Sequence, residues 1–436
     1  MMSQKYWDEK FETMSENQMK DFQLQRLKFQ VQYVYERNPF YTKSFDQQGV
    51  KPDELRKLSD LGKFPFTVKK DLTNTYPYGM NCVDRSEIVR IHASSGTTGK
   101  PALGLYTASD LDQWTECMAR ALWAQEVRPD SVFQNANGMG LFTGGMSFFQ
   151  GAMRIGCSII PSGTGMTERQ ITLMRDLGAT AITCTASYIQ TIFERAQLMG
   201  VDMRELPLKT GHFGAEPWTE EMRREIQDRG GFRAYEHYGL TEMMGPGVAF
   251  NCENYKLHMN EDHVYPEIID PETLRPMPEG ERGELVLTSL QRQAMPLIRY
   301  RTRDIGRISR QKCECGRTLI IMDKVLGRTD DMMIISGVNV FPSQIESVLV
   351  NFEQIEPIYQ IRLRKKGYSD SIIVETELKP GVEAPQLGSI EEFSRRVSEK
   401  IRQVVGIKVP VVFVPTATIP RSSGKAKRVI DERSPK

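Results

Sequence analysis

The chain has 436 residues, about three domains at roughly 150 each, and 39% are hydrophobic against 26% charged. That length supports a sizeable core without disulfide staples, and the composition excludes a wholly disordered, collagenous or coiled-coil protein. Lys+Arg 57 against Asp+Glu 56 leaves a net charge of +1, with only 17 basic against 14 acidic residues from 328 onward, so neither part carries the excess that binding duplex nucleic acid needs.

The opening stretch MMSQKYWDEKFETM lacks the apolar run and cleavage motif of a signal peptide. Nothing approaches the roughly 18 consecutive apolar residues of a membrane span. Seven cysteines, a low and odd number, point to a reducing compartment rather than a disulfide framework. The expectation is a soluble cytoplasmic protein without nucleic-acid or membrane partners.

In chain order, Leu24, Leu27, Val31 and Val34 alternate three- and four-residue spacings, which predicts an amphipathic helix over 19–37 ended by Asn38-Pro39. Residues 86–93 read as a strand entering a Gly-rich stretch at 94–101. Ser109, with Asp112 three residues on, predicts a capped helix to about Gln125. Apolar runs at 131–137, 154–161, 179–185 and 208–214 then alternate with helical patterns at 168–177, 187–199 and 219–229. Such alternation signals an α/β domain with a largely parallel sheet. Closely spaced strands over 282–308 predict an antiparallel patch. Beyond 328–331 the character changes to a small α+β unit: MMIISG, a helix from Pro342, strands at 357–364 and 371–378, a helix at 391–405, a strand at 411–414 and a basic tail.

The segment SSGTTGKP at 94–101 carries the first chemical signal. Gly96 and Gly99 let backbone N–H groups approach an anion, Ser94, Ser95, Thr97 and Thr98 add hydroxyl donors, and Lys100 adds a charge. It is not a Walker A loop: two residues separate the glycines, and Pro101 disfavours a helix beginning at Lys100. The alternative is a polar hairpin turn; eight consecutive residues of this kind after a strand favour the anion site.

SSGTTGKP resembles the phosphate loop of the acyl-adenylate-forming superfamily of acyl-CoA synthetases, adenylation domains and luciferases. FGAEPW at 213–218, HYGLTE at 237–242, YPEIIDPET at 265–273, LIRYRTRDIG at 297–306, GRTDDMMIISGVNVFPSQIE at 327–346 and PRSSGKAKRVID at 420–431 look like phenylacetate–CoA ligases. Order and spacing match from about residue 5 to 433. The resemblance implies a large N-terminal α/β adenylate-forming domain over 1–327, a hinge at 328–331 around Asp330, and a mobile α+β lid over 332–436. It also implies ATP, Mg²⁺ and coenzyme A as cofactors, a small aromatic acid as substrate, and a homodimer, the common state of relatives.

The same resemblance assigns the site. Ser94 to Lys100 hold phosphates, and the backbone at Ala215, Glu216 and Pro217 edges the adenine. In the 237–242 segment, with His237 and Gly239 beside it, Tyr238 stacks on the base, Thr241 contacts the phosphate side and Glu242 binds magnesium, for which a hard carboxylate is suited. Asp304 with Arg328 takes the ribose diol; read alone, each is an ordinary surface charge. Lys425 matches the catalytic lysine. Carboxylate attack on the α-phosphate brings two anions together, so a cation there stabilises the transition state more than the ground state. Read without the family, it is part of a solvated basic tail. After adenylation the lid is expected to rotate about Asp330, withdrawing Lys425 and presenting the segment around Gly337 to CoA.

The acyl pocket departs from the family. Where a tyrosine-rich segment is usual, this chain has Asn137 and Met139 before Phe142 and Gly144, and His212 replaces an apolar residue before Phe213 and Gly214. Asn137 and His212 either meet a hydroxyl or amino group on the acid or bond neighbouring backbone. Passing the acyl group to a carrier protein, transferring AMP to a deazaflavin-type cofactor, or mere nucleotide binding are the alternatives; the Lys425 segment argues against the last.

One feature does not come from the family. KCECGRT supplies Cys313 and Cys315, and CENYKLH supplies Cys252 and His258, a Cys₃His set that suits structural Zn²⁺. His263 is a competing ligand. Cys82, Cys117, Cys157 and Cys184 read as buried hydrophobes.

Overall fold

The computed structural model describes residues 4–94, 100–216, 218–328, 333–335, 338–366, 369–382, 388–421 and 428–433. The first long helix spans Glu16–Arg37, starting earlier than its apolar spacing predicts because Ser15 and Gln18 form a capping box. Leu27, Val31 and Val34 are buried, but Leu24 is only half-buried and the inner face also holds Gln23 and Gln30. Their amide nitrogens donate to Glu261 O and Arg292 O, each at 2.9 Å. Asn38 ends this helix and caps the next, Pro39–Gln48, accepting from Phe40 N at 2.9 Å.

The strand expected over 86–93 shortens to Arg90–Ala93 behind a 3₁₀ turn. It pairs antiparallel with Leu103–Tyr106, so the 94–101 segment joins two arms of a hairpin. The helix that follows, Ala108–Ala124, is capped by Thr107 rather than Ser109. Thr107 Oγ1 accepts from Asp110 N (3.1 Å) and Asp110 Oδ2 from Thr107 N (2.9 Å). Asp110 also accepts from Gln293 N (2.7 Å) and Ala294 N (3.0 Å), a distant tether that local spacing cannot reveal.

A nine-stranded sheet carries the large half. Five strands run parallel in the order Ser158–Ile160, Val132–Asn135, Ala181–Cys184, Thr210–Phe213, Arg233–Leu240. The helices Thr143–Ile155, Thr167–Asp176, Ala186–Leu198 and Glu220–Gly230 lie in the connections between them. Antiparallel pairing then continues through Gly245–Asn251, Leu257–Met259, Ile321–Met322 and Ile308–Ser309. Side-chain alternation splits the core: Ala181 joins one cluster, Ile182 and Cys184 the other. The patch expected at 282–308 is a four-stranded antiparallel sheet ordered Val264–Ile269, Gly283–Ser289, Tyr300–Gly306, Gly327–Arg328.

The C-terminal part builds a core of its own from Met333 to Val411. Its sheet runs Val411–Val414, Ser369–Leu378, Ile355–Lys366, Val429–Asp431, with Pro342–Leu349 and Ile390–Val405 as its helices. The fold is therefore α/β with a smaller α+β unit. Among the described residues no helix is long and apolar enough to cross a membrane.

Candidate active site

Strand Arg233–Leu240 of the large sheet and strand Tyr300–Gly306 of the antiparallel sheet bring their polar residues to one point. Tyr238 Oη donates to Asp304 Oδ2 at 2.5 Å, and Arg328 Nη1 lies 3.6 Å from Asp304 Oδ1. Asp304 and Arg328 are cross-strand partners in register, which is why residues far apart in sequence meet. Burial, and then the Asp304 charge, hold the Tyr238 phenol well above its ordinary pKa, so it remains a donor. A ring, a carboxylate and a guanidinium thus stand together, a set suited to a flat base beside a diol.

The next residue has no room for a side chain. A Cβ on Gly239 would lie 1.3 Å from Gly245 O, so only glycine permits the tight return that places Thr241 and Glu242 in the following turn. Tyr106 Oη, on the second arm of the hairpin, donates to Thr241 O at 3.2 Å and couples that turn to the 94–101 segment. Glu242 is buried. Its carboxylate faces Lys69 Nζ at 3.8 Å and the Tyr300 phenol, which burial and the Glu242 charge push well above its ordinary pKa. Lys69 stands in no motif, and Tyr300 lies inside LIRYRTRDIG at 297–306 with no role assigned to it from the sequence. Thr67 bridges to Tyr300 and its N–H donates to Arg299 O (3.1 Å), which brings this early segment to the site.

Of the other expected nucleotide residues, Ser94 closes the hairpin base, its N–H donating to Ala102 O (2.8 Å) and its hydroxyl accepting from Ala102 N (3.0 Å). Lys100 Nζ sits 5.6 Å from the centre of the Tyr76 ring. Ala215 holds φ +72°, an uncommon conformation for a non-glycine residue, and Glu216 Oε1 accepts from Ser187 N at 2.6 Å. Ser95, Gly96, Thr97, Thr98, Gly99, Pro217, Asp330, Gly337 and Lys425 lie outside the described residues.

His237 turns away from the nucleotide cluster. Its Nε2 donates to Gln125 Oε1 (2.7 Å), and the same oxygen accepts from His212 Nδ1 (2.6 Å). Thr210 Oγ1 donates to His212 Nε2 at 3.1 Å. Burial drives the His237 pKa down to about 3 and His212 well below its ordinary value, so both rings are neutral. Both His212 nitrogens therefore bond protein side chains, Gln125 and Thr210, where the sequence left open either the acid or neighbouring backbone as the partner. Phe213, on the opposite face of the strand, packs against Trp218 and Phe232 and is fully buried. Gly214 offers only backbone; a Cβ there would crowd His237 O at 2.9 Å. Asn137 remains half-buried at the strand ends, with Nδ2 donating to Thr183 Oγ1 at 2.9 Å. Met139 Sδ lies 3.3 Å from Asn135 Nδ2. Phe142 is exposed at the start of helix Thr143–Ile155, and a Cβ on Gly144 would meet nothing within 4 Å.

The four expected metal ligands converge elsewhere. The ligand atoms of Cys252, His258, Cys313 and Cys315 all lie within 4.8 Å of one another, beside the antiparallel end of the large sheet. His263 instead approaches Asp262 at 3.4 Å.

Comparison with known proteins adds independent findings. A family model described as AMP-binding enzyme matches residues 15–293, and one described as AMP-binding enzyme C-terminal domain matches 337–433. The phenylacetate-coenzyme A ligase of Thermus thermophilus is 43% identical, covering 97% of this chain and 98% of that protein. The phenylacetate-coenzyme A ligase of Escherichia coli K12 is 44% identical, with 97% of each chain covered. Among solved structures, a 2-hydroxyisobutyryl-CoA ligase is 28% identical over 99% of this chain and 94% of its own. Its postadenylation state with a bound acyl-AMP superposes at a TM-score of 0.94, its thioesterification state at 0.74.

Proposed function

The chain belongs to the AMP-binding enzyme family, and on that premise we propose that it is an AMP-forming ligase joining an aryl carboxylic acid of the phenylacetate type to coenzyme A. A carboxylate oxygen attacks the α-phosphorus of ATP, the bond to pyrophosphate breaks, and an acyl-adenylate forms. The CoA thiol, losing its proton, then attacks the acyl carbon; the bond to AMP breaks and the acyl-CoA leaves. The contact of Tyr238 with Asp304 beside Arg328 is the observation that carries this reading.

The residue roles belong to the same proposal. The Tyr238 ring takes the adenine, and the Tyr238 hydroxyl and Arg328 orient Asp304 toward the ribose. The segment Ser94 to Lys100, which follows strand Arg90–Ala93 and precedes the Leu103–Tyr106 strand whose Tyr106 bonds Thr241 O, cradles the phosphates. Glu242 fits a magnesium ion, because such an ion takes one carboxylate and fills its remaining positions from phosphate and water. Bound there, magnesium would neutralise phosphate charge. Lys425 supplies the cation for carboxylate attack, Asp330 the hinge and the Gly337 segment the CoA face, as the resemblance assigns them. Asn137 is the residue of the acyl region that tunes the acid, with Met139, Phe142 and Gly144 around it. Seven free thiols favour a reducing, cytoplasmic setting, and a homodimer completes the proposal.

The test is a screen of phenylacetate, benzoate, anthranilate, hydroxybenzoates and indoleacetate for acid-dependent pyrophosphate release, followed by CoA-dependent AMP formation. Adenylation without a CoA response would overturn the ligase in favour of a carrier-loading or AMP-transferring enzyme. No adenylation with any acid would overturn the whole reading.

A further inference from the structure

The Cys252, His258, Cys313 and Cys315 cluster has no part in the reaction above, and its geometry points to a structural zinc site. Cys252 Sγ and Cys313 Sγ are 3.7 Å apart, and Cys315 Sγ is 3.4 Å from His258 Nε2. Tetrahedral zinc with bonds of about 2.3 Å to sulfur and about 2.0 Å to nitrogen requires S···S edges near 3.8 Å and S···N edges near 3.5 Å. Both spacings fit one ion. A sulfur pair that far apart is not a disulfide, which needs about 2.05 Å. Four ligand atoms within 4.8 Å also leave no room for an iron–sulfur cluster between them.

The backbone around the cluster is shaped for thiolates. Two turns carry the sulfurs, Cys252 to Tyr255 and Cys313 to Gly316, each closed by an N–H to carbonyl bond of 2.9 Å and each ending in a left-handed residue, with φ +58° and +82°. Asn254 N donates to Cys252 Sγ and Arg317 N to Cys315 Sγ, both at 3.4 Å. Such donors stabilise sulfur as the anion that binds metal. His258 is prepared in the same way: Nδ1 donates to Leu319 O at 3.1 Å, which fixes the tautomer and leaves the Nε2 lone pair facing the sulfurs. His258, Cys252 and Cys315 are buried, so the four protein ligands leave no open coordination position and the ion serves structure only.

The site pins more than its own loop. Cys315 O accepts from Tyr6 Oη (3.1 Å), and a Cβ on Gly316 would lie 2.2 Å from that hydroxyl. Arg317 Nε donates to Glu12 Oε2 at 2.7 Å, and Thr318 bonds Glu12 O and Met14 O. Zinc thus staples the 313–318 loop to the end of strand Gly245–Asn251 and, through that loop, holds the N-terminal segment on the large half.

Elemental analysis of the full chain after dialysis against a chelator tests this, beside Cys313→Ser and a Cys157→Ser control. About one zinc per chain is expected in wild type and control, with at least a tenfold loss in Cys313→Ser. Because Cys313→Ser is open to misfolding, wild type reconstituted with cobalt(II) gives a second readout. Tetrahedral thiolate-bound cobalt shows intense visible d–d bands, and added zinc should bleach them. Zinc-free wild type with no cobalt spectrum, or equal zinc in all three proteins, would overturn the site.

Discussion

Replacing Glu194 by Gln should slow acyl-adenylate formation while sparing thioester formation from a supplied acyl-adenylate. The reason lies where the two cores touch. Glu377, buried in strand Ser369–Leu378, accepts from Ala417 N (2.9 Å), Ile419 N (2.7 Å) and both terminal nitrogens of Arg421 (2.9 Å each), and so folds the segment leading toward Lys425. The same guanidinium reaches across to Glu194 on helix Ala186–Leu198, at 3.2 and 3.3 Å. Lys379 with Glu225 (3.8 Å) and Arg229 with Glu356 (4.0 Å) are longer contacts across the same seam. This arrangement is the one that superposes on a postadenylation structure at 0.94 and on a thioesterification structure at only 0.74, so a rotated lid would leave the Glu194 contact behind. Arg421 and Glu194 are each 21% exposed, and pairs with water access are worth about 0.2–1 kcal/mol. On the proposed lid motion, losing one charge should shift the equilibrium between the two geometries by a factor of about 1.4 to 5 and slow the first half-reaction by at most that factor. Rapid-quench measurement of pyrophosphate release, and separately of CoA-driven consumption of preformed adenylate, reads the two steps. Equal slowing of both, or slowing of the second alone, would refute a latch selective for the first geometry.

Lys425→Ala should nearly abolish adenylation, by a factor of about 10² or more, yet leave the second half-reaction running; single-turnover assays of each step decide, and equal loss in both would make the lysine structural. Asp304→Asn should raise the KM for ATP about tenfold or more with little change in the KM for the acid, because on the proposed role it weakens only a ribose contact; a matched rise in both would place Asp304 in general folding. Stability should fall as pH drops from about 6.5, since His237 (pKa about 3) and His212 stay neutral when folded while unfolded imidazoles take up protons, so the unfolded state binds more and ΔG rises with pH. Urea midpoints at pH 7, 6 and 5 should show a slope of up to roughly 2.7 kcal/mol per pH unit from the two rings, shallower in His237→Gln; a flat profile contradicts the burial argument.

What the sequence discloses follows from how far each interaction reaches. The parallel strands are legible because period and turn chemistry are local: Ala181–Cys184 and Thr210–Phe213 fall inside the expected runs at 179–185 and 208–214, and every residue of both strands is buried. The cap at Thr107 is not, because Asp110 is drawn there by Gln293 and Ala294 as well as by its own turn. The candidate site divides on the same line. Tyr238, Glu242 and Asp304 stand in recognisable motifs, whereas Lys69 reaches Glu242 only because Thr67 pairs with Tyr300, a contact between segments with no shared pattern. His212 shows the converse. Its polar ring in an apolar run suggests a ligand contact, but Gln125, at the end of helix Ala108–Ala124, and Thr210 satisfy it inside the core. A buried polar group signals that a partner exists without saying whether the partner is substrate or protein. Here the strand pleat decides, because it sends His212 toward Gln125 and Phe213 toward Trp218, leaving the backbone at Gly214 and Ala215 as the part of this segment that reaches the strand ends.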